Sequence, residues 1–165
     1  NLGQAEVKGI EFQYRINNLF AGPEMKGASS MSSTRYPFLV SGMIQDSAYK
    51  GQNLNYNGKT IAYVPDFQLY TSLGMETTNW SVGLGAKYYD SMFTDNMNVF
   101  RTGHAFIFDL HSSMNLPMNT AGIRNAKLFL NVDNLFDKVY VASEHEYGKR
   151  PNKPLSIMAG VKFDF

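Results

Sequence analysis

Apolar and polar side chains alternate along most of this chain with a period of two, and helical spacing is nearly absent. The cleanest stretch is Pro154 to Phe165. Leu155, Ile157, Ala159, Val161, Phe163 and Phe165 share one side, and Ser156, Met158, Gly160, Lys162 and Asp164 share the other. Successive strand side chains point to opposite faces, whereas a helix would mix the two sets. The same pattern predicts strands at Ala126–Asp133, Phe106–Met114, Trp80–Tyr89, Phe67–Glu76 and Ile10–Ile16, and a less regular one at Phe38–Asp46. That makes seven strands.

The connections alternate in length. Glu76 to Asn79 reads as a tight polar turn, and Leu116 to Asn125 as a modest one with Pro117 and Gly122. Asp46 to Tyr63, Asp90 to Gly103 and Asp137 to Lys153 are longer and wetter. Short turns at one end and long loops at the other mark an outer-membrane barrel. Asn18 to Tyr36 breaks the rule, because it falls where a short turn belongs.

Composition sharpens the choice between a membrane barrel and a soluble sandwich. The polar rows carry Gly, Ser, Asn, Gln and Tyr with scattered single charges of both signs, as suits the wall of an aqueous bore. The apolar rows carry Leu, Val, Ile, Phe and Ala, with Trp80 and Tyr88 near the two ends of one strand, where interfacial girdles lie. Apolar runs are short, such as Phe38 to Val40 and Phe106 to Phe108, which excludes a bundle of membrane helices. With no cysteine there is no disulfide and no thiolate-bound metal. A formal charge of +1 offers no basic field for nucleic acid. The expected fold is therefore all-β, a transmembrane antiparallel β-barrel. Single-chain bacterial barrels close on an even number of strands. An odd count, with no export signal in Asn1-Leu2-Gly3-Gln4, predicts one part of a larger barrel completed by strands outside this sequence.

Particular residues carry a resemblance. Asn131-Val132-Asp133-Asn134-Leu135-Phe136-Asp137-Lys138-Val139-Tyr140 resembles the N-x-x-NLFDKxY signature of TonB-dependent outer-membrane receptors, of the siderophore or ferric-citrate type. Ala5 to Glu11 is similar to the A-x-x-x-G-x-E strand opening of that family, and Val64-Pro65 to another recurrent element. Arg150-Pro151 through to Phe165 is similar to its closing strand. Val161, Phe163 and the terminal Phe165 resemble the signal read by the barrel-assembly machinery. The resemblance implies a 22-stranded barrel, with this chain as its carboxyl-terminal seven strands, the sixteenth to the twenty-second. The plug domain and its TonB box would lie elsewhere. It also implies a bacterial outer-membrane location among lipid and lipopolysaccharide, import of a ferric chelate, and energy from TonB–ExbB–ExbD acting through the plug. The iron complex would be cargo rather than a cofactor.

Candidate ligand contacts lie in the long loops and on the polar rows. Arg101 and His104 bound the Asp90–Gly103 loop, and Lys87 and Tyr89 lie on the polar row beside it, where cations could hold an anionic chelate. His145 and Arg150 occupy the last long loop. Glu144-His145-Glu146 contains metal-ligand types, but Lys149 stands where a zinc-protease motif needs its second histidine, so no metal site is predicted. Within the NLFDKxY element, Asn131 and Asp133 should face the bore and Asn134 should shape the strand end. His111 and Ser113 share a strand face, but neither an oriented base nor an oxyanion hole accompanies them, and no enzyme is predicted. The alternative is a small barrel, a passive porin or an adhesin, without energy coupling.

Overall fold

A computed structural model of the chain describes residues 4–20, 34–51, 55–120, 123–145 and 148–164. Among these the structure is strand and loop throughout. Seven strands form one antiparallel sheet: β1 (Gln4–Ile16), β2 (Phe38–Lys50), β3 (Phe67–Glu76), β4 (Trp80–Tyr89), β5 (Ala105–Thr120), β6 (Ile123–Asp133) and β9 (Ser156–Asp164). A two-stranded ribbon, β7 (Val141–His145) and β8 (Gly148–Pro151), stands apart within the last long connection. The spatial order is β1-β2-β3-β4-β5-β6-β9, so each spanning strand lies beside its predecessor in the sheet.

Alternation sets the register. Ile10 lies opposite Ile44, Leu73 opposite Leu84, Leu110 opposite both Leu84 and Val132, and Leu128 opposite Val161, so apolar rows continue from strand to strand. A slip of one residue would send every one of these to the other face. Among the described residues nothing covers that face. Ile10 is 72% exposed and Ile157 66%, with Tyr14, Ile44, Phe106 and Val161 also exposed. Burying one such side chain is worth roughly 1.5–3 kcal/mol. Whole rows left in water would outweigh the roughly 5–15 kcal/mol net stability of a domain. A second layer would make this a sandwich, and none is present among the described residues. Hydrocarbon is the cover that fits.

Aromatic side chains mark the two edges of the apolar band. Tyr88 packs on Phe67 and Phe106 with ring centroids 5.8 and 4.7 Å away, at the end where the long connections lie. Trp80 marks the opposite end of the same strand. At ~3.3 Å per residue the two are about 26 Å apart along the strand, close to the ~25 Å apolar band of outer-membrane barrels.

Four details differ from the pattern-based expectation. The first two strands extend beyond their apolar alternation, to Gln4 and to Lys50, where the backbone ladder continues unbroken and Glu6 pairs with Lys8 on its own strand and Lys50 on the next. The turn expected from Leu116 to Asn125 is narrowed, since β5 and β6 keep pairing past Pro117 as far as Thr120↔Ile123. The register shifts between Pro117 and Thr120, where proline has no N–H to give the ladder. The Asp137–Lys153 connection contains the β7–β8 ribbon rather than unpaired loop alone. Finally, the long segment after β1 leaves the pairing of β1 and β2 unbroken from Gln4↔Lys50 to Ile16↔Phe38. Its ends are pinned, with the Leu19 N–H donating to Tyr36 O at 2.8 Å and the Tyr36 N–H to Asn18 Oδ1 at 3.1 Å. Residues 21–33 lie outside the described residues.

Candidate functional site

The polar face of the sheet is concave. Glu11, Gln13, Ser41, Gln68, Tyr70 and Lys87 line a hollow of about 470 Å³ across β1 to β4. Its lysine is paired along the wall. Lys87 Nζ lies 2.6 Å from Asp109, which sits diagonally across the β4–β5 ladder, opposite Gly85. Asp109 also accepts the backbone N–H of Asn134 at 2.9 Å.

Asn134 organises the base of the last long connection. It follows β6 directly, is buried, and has φ 54°, a left-handed conformation that asparagine tolerates better than most residues. Its amide donates to Lys138 O and Lys153 O, both at 3.1 Å, and its Oδ1 accepts the Lys138 N–H at 2.8 Å. Asn152 closes the same clasp, donating to Lys138 O at 3.0 Å and accepting the Tyr140 N–H at 2.9 Å. Asp137 accepts the Leu155 N–H at 2.9 Å, and Lys153 pairs with Asp133 at 2.6 Å. The NLFDKxY element is thus a splice between β6, the connection and β9.

The two preceding long connections are knitted together. Asn98 (φ 58°) exchanges bonds with Thr60, accepting its N–H at 2.8 Å and donating to its carbonyl at 2.9 Å. Tyr49 donates to Asn96 Oδ1 at 2.9 Å, and the Tyr63 N–H to Phe93 O at 2.8 Å. Asp95 folds its own loop by accepting the N–H groups of Phe100 (2.7 Å), Met97 (2.8 Å) and Val99 (3.0 Å). These donors, Phe100 foremost, hold its carboxyl below the usual carboxylate range.

Between this unit, the wall and the last connection lies a cavity of about 250 Å³. Tyr63, Gln68, Tyr89, Met92, Thr102 and Tyr140 are among its lining residues. The rings of Tyr89 and Tyr140 are inclined by 22°, with centroids 6.4 Å apart. Burial pushes the Tyr140 phenol up.

The sequence-predicted site residues do not converge on one place. Lys87 and Tyr89 share the polar face as expected, but the ammonium of Lys87 is taken up by Asp109. Arg101 lies 4.4 Å from the Phe93 ring centroid and 3.9 Å from Asp66, and so braces the two loops. His104 shares the parity of Phe106, and its ring lies 6.4 Å from that of Tyr88, on the apolar side of the sheet; it does not face the hollow. Arg150 is exposed on β8, opposite Ser143. The backbone of His145 pairs with Gly148, but its side chain, with that of Glu144 and the whole of Glu146, lies outside the described residues. Val161 and Phe163 lie on the apolar face opposite Leu128 and Ala126, and Phe165 is outside the description.

A family model described as TonB dependent receptor-like, beta-barrel matches residues 1–135. The chain belongs to that family. The ferrichrome outer membrane transporter/phage receptor of Escherichia coli (strain K12) is 25% identical over 146 residues, covering 86% of this chain and 17% of that protein. The ferric yersiniabactin uptake receptor FyuA from Yersinia pestis superposes on all of the chain with a TM-score of 0.74 at 18% identity. BauA, the ferric preacinetobactin receptor from Acinetobacter baumannii, covers 98% of it with a TM-score of 0.66 at 14% identity. The chain spans 24% of FyuA and 27% of BauA. These relatives are transporters and receptors, not enzymes, and the chain is part of a barrel wall in the bacterial outer membrane. Its apolar face meets lipid and its polar face the bore.

Strand parity foretells that Asp109 and Gln68 face the bore, but nothing in the spacing signals that Asp109 reaches Asn134 or that Asn98 joins two loops. Tyr140 stands in the family signature, and its place in the cavity wall follows only from the fold.

Proposed function

We propose that this chain forms part of the wall and mouth of a receptor that imports a ferric chelate, a siderophore or ferric citrate, with energy supplied by TonB–ExbB–ExbD through a plug domain. The observation that carries this reading is the tyrosine-lined cavity at the external end of the bore-facing wall, walled by Tyr89 of β4 and by residues of the long connections. Sites that capture small solutes are concave, with a few polar groups converging on an apolar lining, and this hollow has that form. The iron complex is cargo, and no resident cofactor is invoked. Membership of the family and likeness to receptors for ferric siderophores support the reading. The wall needs the barrel-assembly machinery to insert it and the lipid and lipopolysaccharide of the outer membrane to cover its apolar face.

The test is growth under iron starvation. Deleting the gene for the full-length receptor should abolish growth on at least one ferric chelate of a panel, and restoring it should rescue growth only when TonB is functional. Chelate use unaffected by the deletion, or uptake that persists without TonB, would overturn the reading.

A further inference from the structure

The apolar row of β6 runs Ala126, Leu128, Leu130, Val132. The ladder pairs Leu110 with Val132, so its next step on that face would set Asn134 opposite Phe108, a polar amide aimed at hydrocarbon. The chain avoids this. Asn134 turns into the left-handed region at φ 54°, is only 4% exposed, and donates its amide to Lys138 O and Lys153 O. The backbone stays beside β5 for one more bond, the Leu135 N–H donating to Phe108 O at 2.7 Å. Phe136 then covers Phe108 in place of Asn134. The two rings meet edge-on with centroids 5.3 Å apart, and Asp137, at φ 49°, turns the chain again.

Phe108 belongs to the apolar row of β5 with Phe106 and Leu110, so the Phe136 ring lies on the lipid side of the sheet and not in the bore. It is 70% exposed there. β6 is an interior strand, flanked by β5 and β9, so no further strand can join beside it. The ring also extends an aromatic belt at the end of the sheet where the long connections lie. Phe67, Tyr88 and Phe106 form that belt on β3, β4 and β5, and Phe136 carries it past the end of β6. Rings in such a belt sit where acyl chains meet headgroups. The hydrocarbon over Phe106 and Leu110 is therefore continuous over Phe136.

We infer that Phe136 seats the NLFDKxY element in the membrane, its ring lying among the acyl chains of the leaflet on the side of the long connections. The element then has two separate parts. Asn134 closes the clasp, and Phe136 holds the base of the last long connection at the lipid surface. This stands apart from the import reading, since contact with lipid does not depend on what is carried.

The experiment uses the full-length receptor reconstituted in phosphatidylcholine vesicles. Phe136→Trp puts a reporter at the ring, and subtracting the parent's emission removes the signal of Trp80 and of any other tryptophan. The added emission should lose most of its intensity with lipids brominated high on the acyl chain. It should lose less with lipids brominated near the chain ends, and little with iodide in the buffer. Quenching by iodide and by neither lipid puts the ring in water, and quenching by none of the three puts it under protein. Either result overturns the inference. Should the substitution prevent insertion, the unmodified receptor can be labelled by a diazirine carried on a lipid acyl chain. The peptides containing Phe106 and Phe136 should then both be labelled. Label on the Phe106 peptide with none on the Phe136 peptide would overturn the inference as well.

Discussion

Asp109 accepts the backbone N–H of Asn134 at 2.9 Å across 25 residues of sequence, tying the first part of one strand to the residue that follows the next. Because Asp109 also holds Lys87 at 2.6 Å, a single carboxylate satisfies a wall cation and the first residue of an external connection. Replacing it with alanine leaves the N–H of a buried residue without its acceptor, which costs about 1–3 kcal/mol. The ion pair adds at most ~1 kcal/mol, since the Lys87 side chain is 41% exposed. Asp109→Asn keeps one acceptor and should lose less. The check is the temperature at which the folded band of the full-length receptor disappears on heated SDS gels. The order should run parent, Asn, Ala, and equal shifts for the two variants would contradict it.

At Asn134 the two demands of the site separate. Alanine there strains the left-handed backbone by about 1–2 kcal/mol and also removes three side-chain bonds. Glycine relieves the strain and loses the same bonds. Cleavage of the 138–153 connection by added protease should therefore be fastest in Asn134→Ala, intermediate in Asn134→Gly and slowest in the parent. If glycine behaves like the parent, the bonds contribute nothing to holding the clasp.

The strands were legible because hydrocarbon on one side and water on the other impose a strict period of two on every residue between them. Trp80–Tyr89 needs no adjustment at either end. Beyond the band the constraint lapses, which is why the extension of β2 to Lys50 and the β7–β8 ribbon carry no alternation to read. The site was harder for a related reason. Lys87 and Arg101 are recognisable as cations, but their meaning depends on Asp109 and Asp66, whose proximity comes from the ladder and from loop packing rather than from spacing. Parity alone would have placed His104 on the side of Phe106. The expectation that it faces the mouth came from its position beside a loop.

Phe129 and Gly160 form a second coupled pair, on the bore side of the β6–β9 seam where they lie directly opposite each other. A Cβ added at Gly160 would lie 2.5 Å from Cζ of the Phe129 ring, so Gly160→Ala forces the ring to move. Overpacking of this kind costs about 1–3 kcal/mol. Phe129→Ala removes the obstacle, so the double variant should lose less than the sum of the single losses, by more than about 0.5 kcal/mol. Urea unfolding of the full-length receptor in detergent micelles measures all four corners. Strict additivity would mean that the ring yields at no cost.

Asp95 gives the external loops a dependence on acid. Its folded pKa lies below the ordinary value because the N–H groups of Phe100, Val99 and Met97 favour the ionised carboxylate. In the unfolded loop the group titrates at about 3.9. Its contribution is therefore complete above that value and is lost as pH falls through the lower, folded pKa. The partner loop should loosen with it, since Asn98, between Met97 and Val99, carries both bonds to Thr60. Hydrogen exchange of the 90–103 and 59–63 amides, taken as the ratio of Asp95→Asn to parent at each pH, cancels the intrinsic chemical rate. That ratio should exceed one near neutrality in both segments and converge on one in strong acid. A ratio that stays flat across the range would show that the carboxylate's charge does not hold the loop. A change confined to 90–103 would show that the two connections move independently.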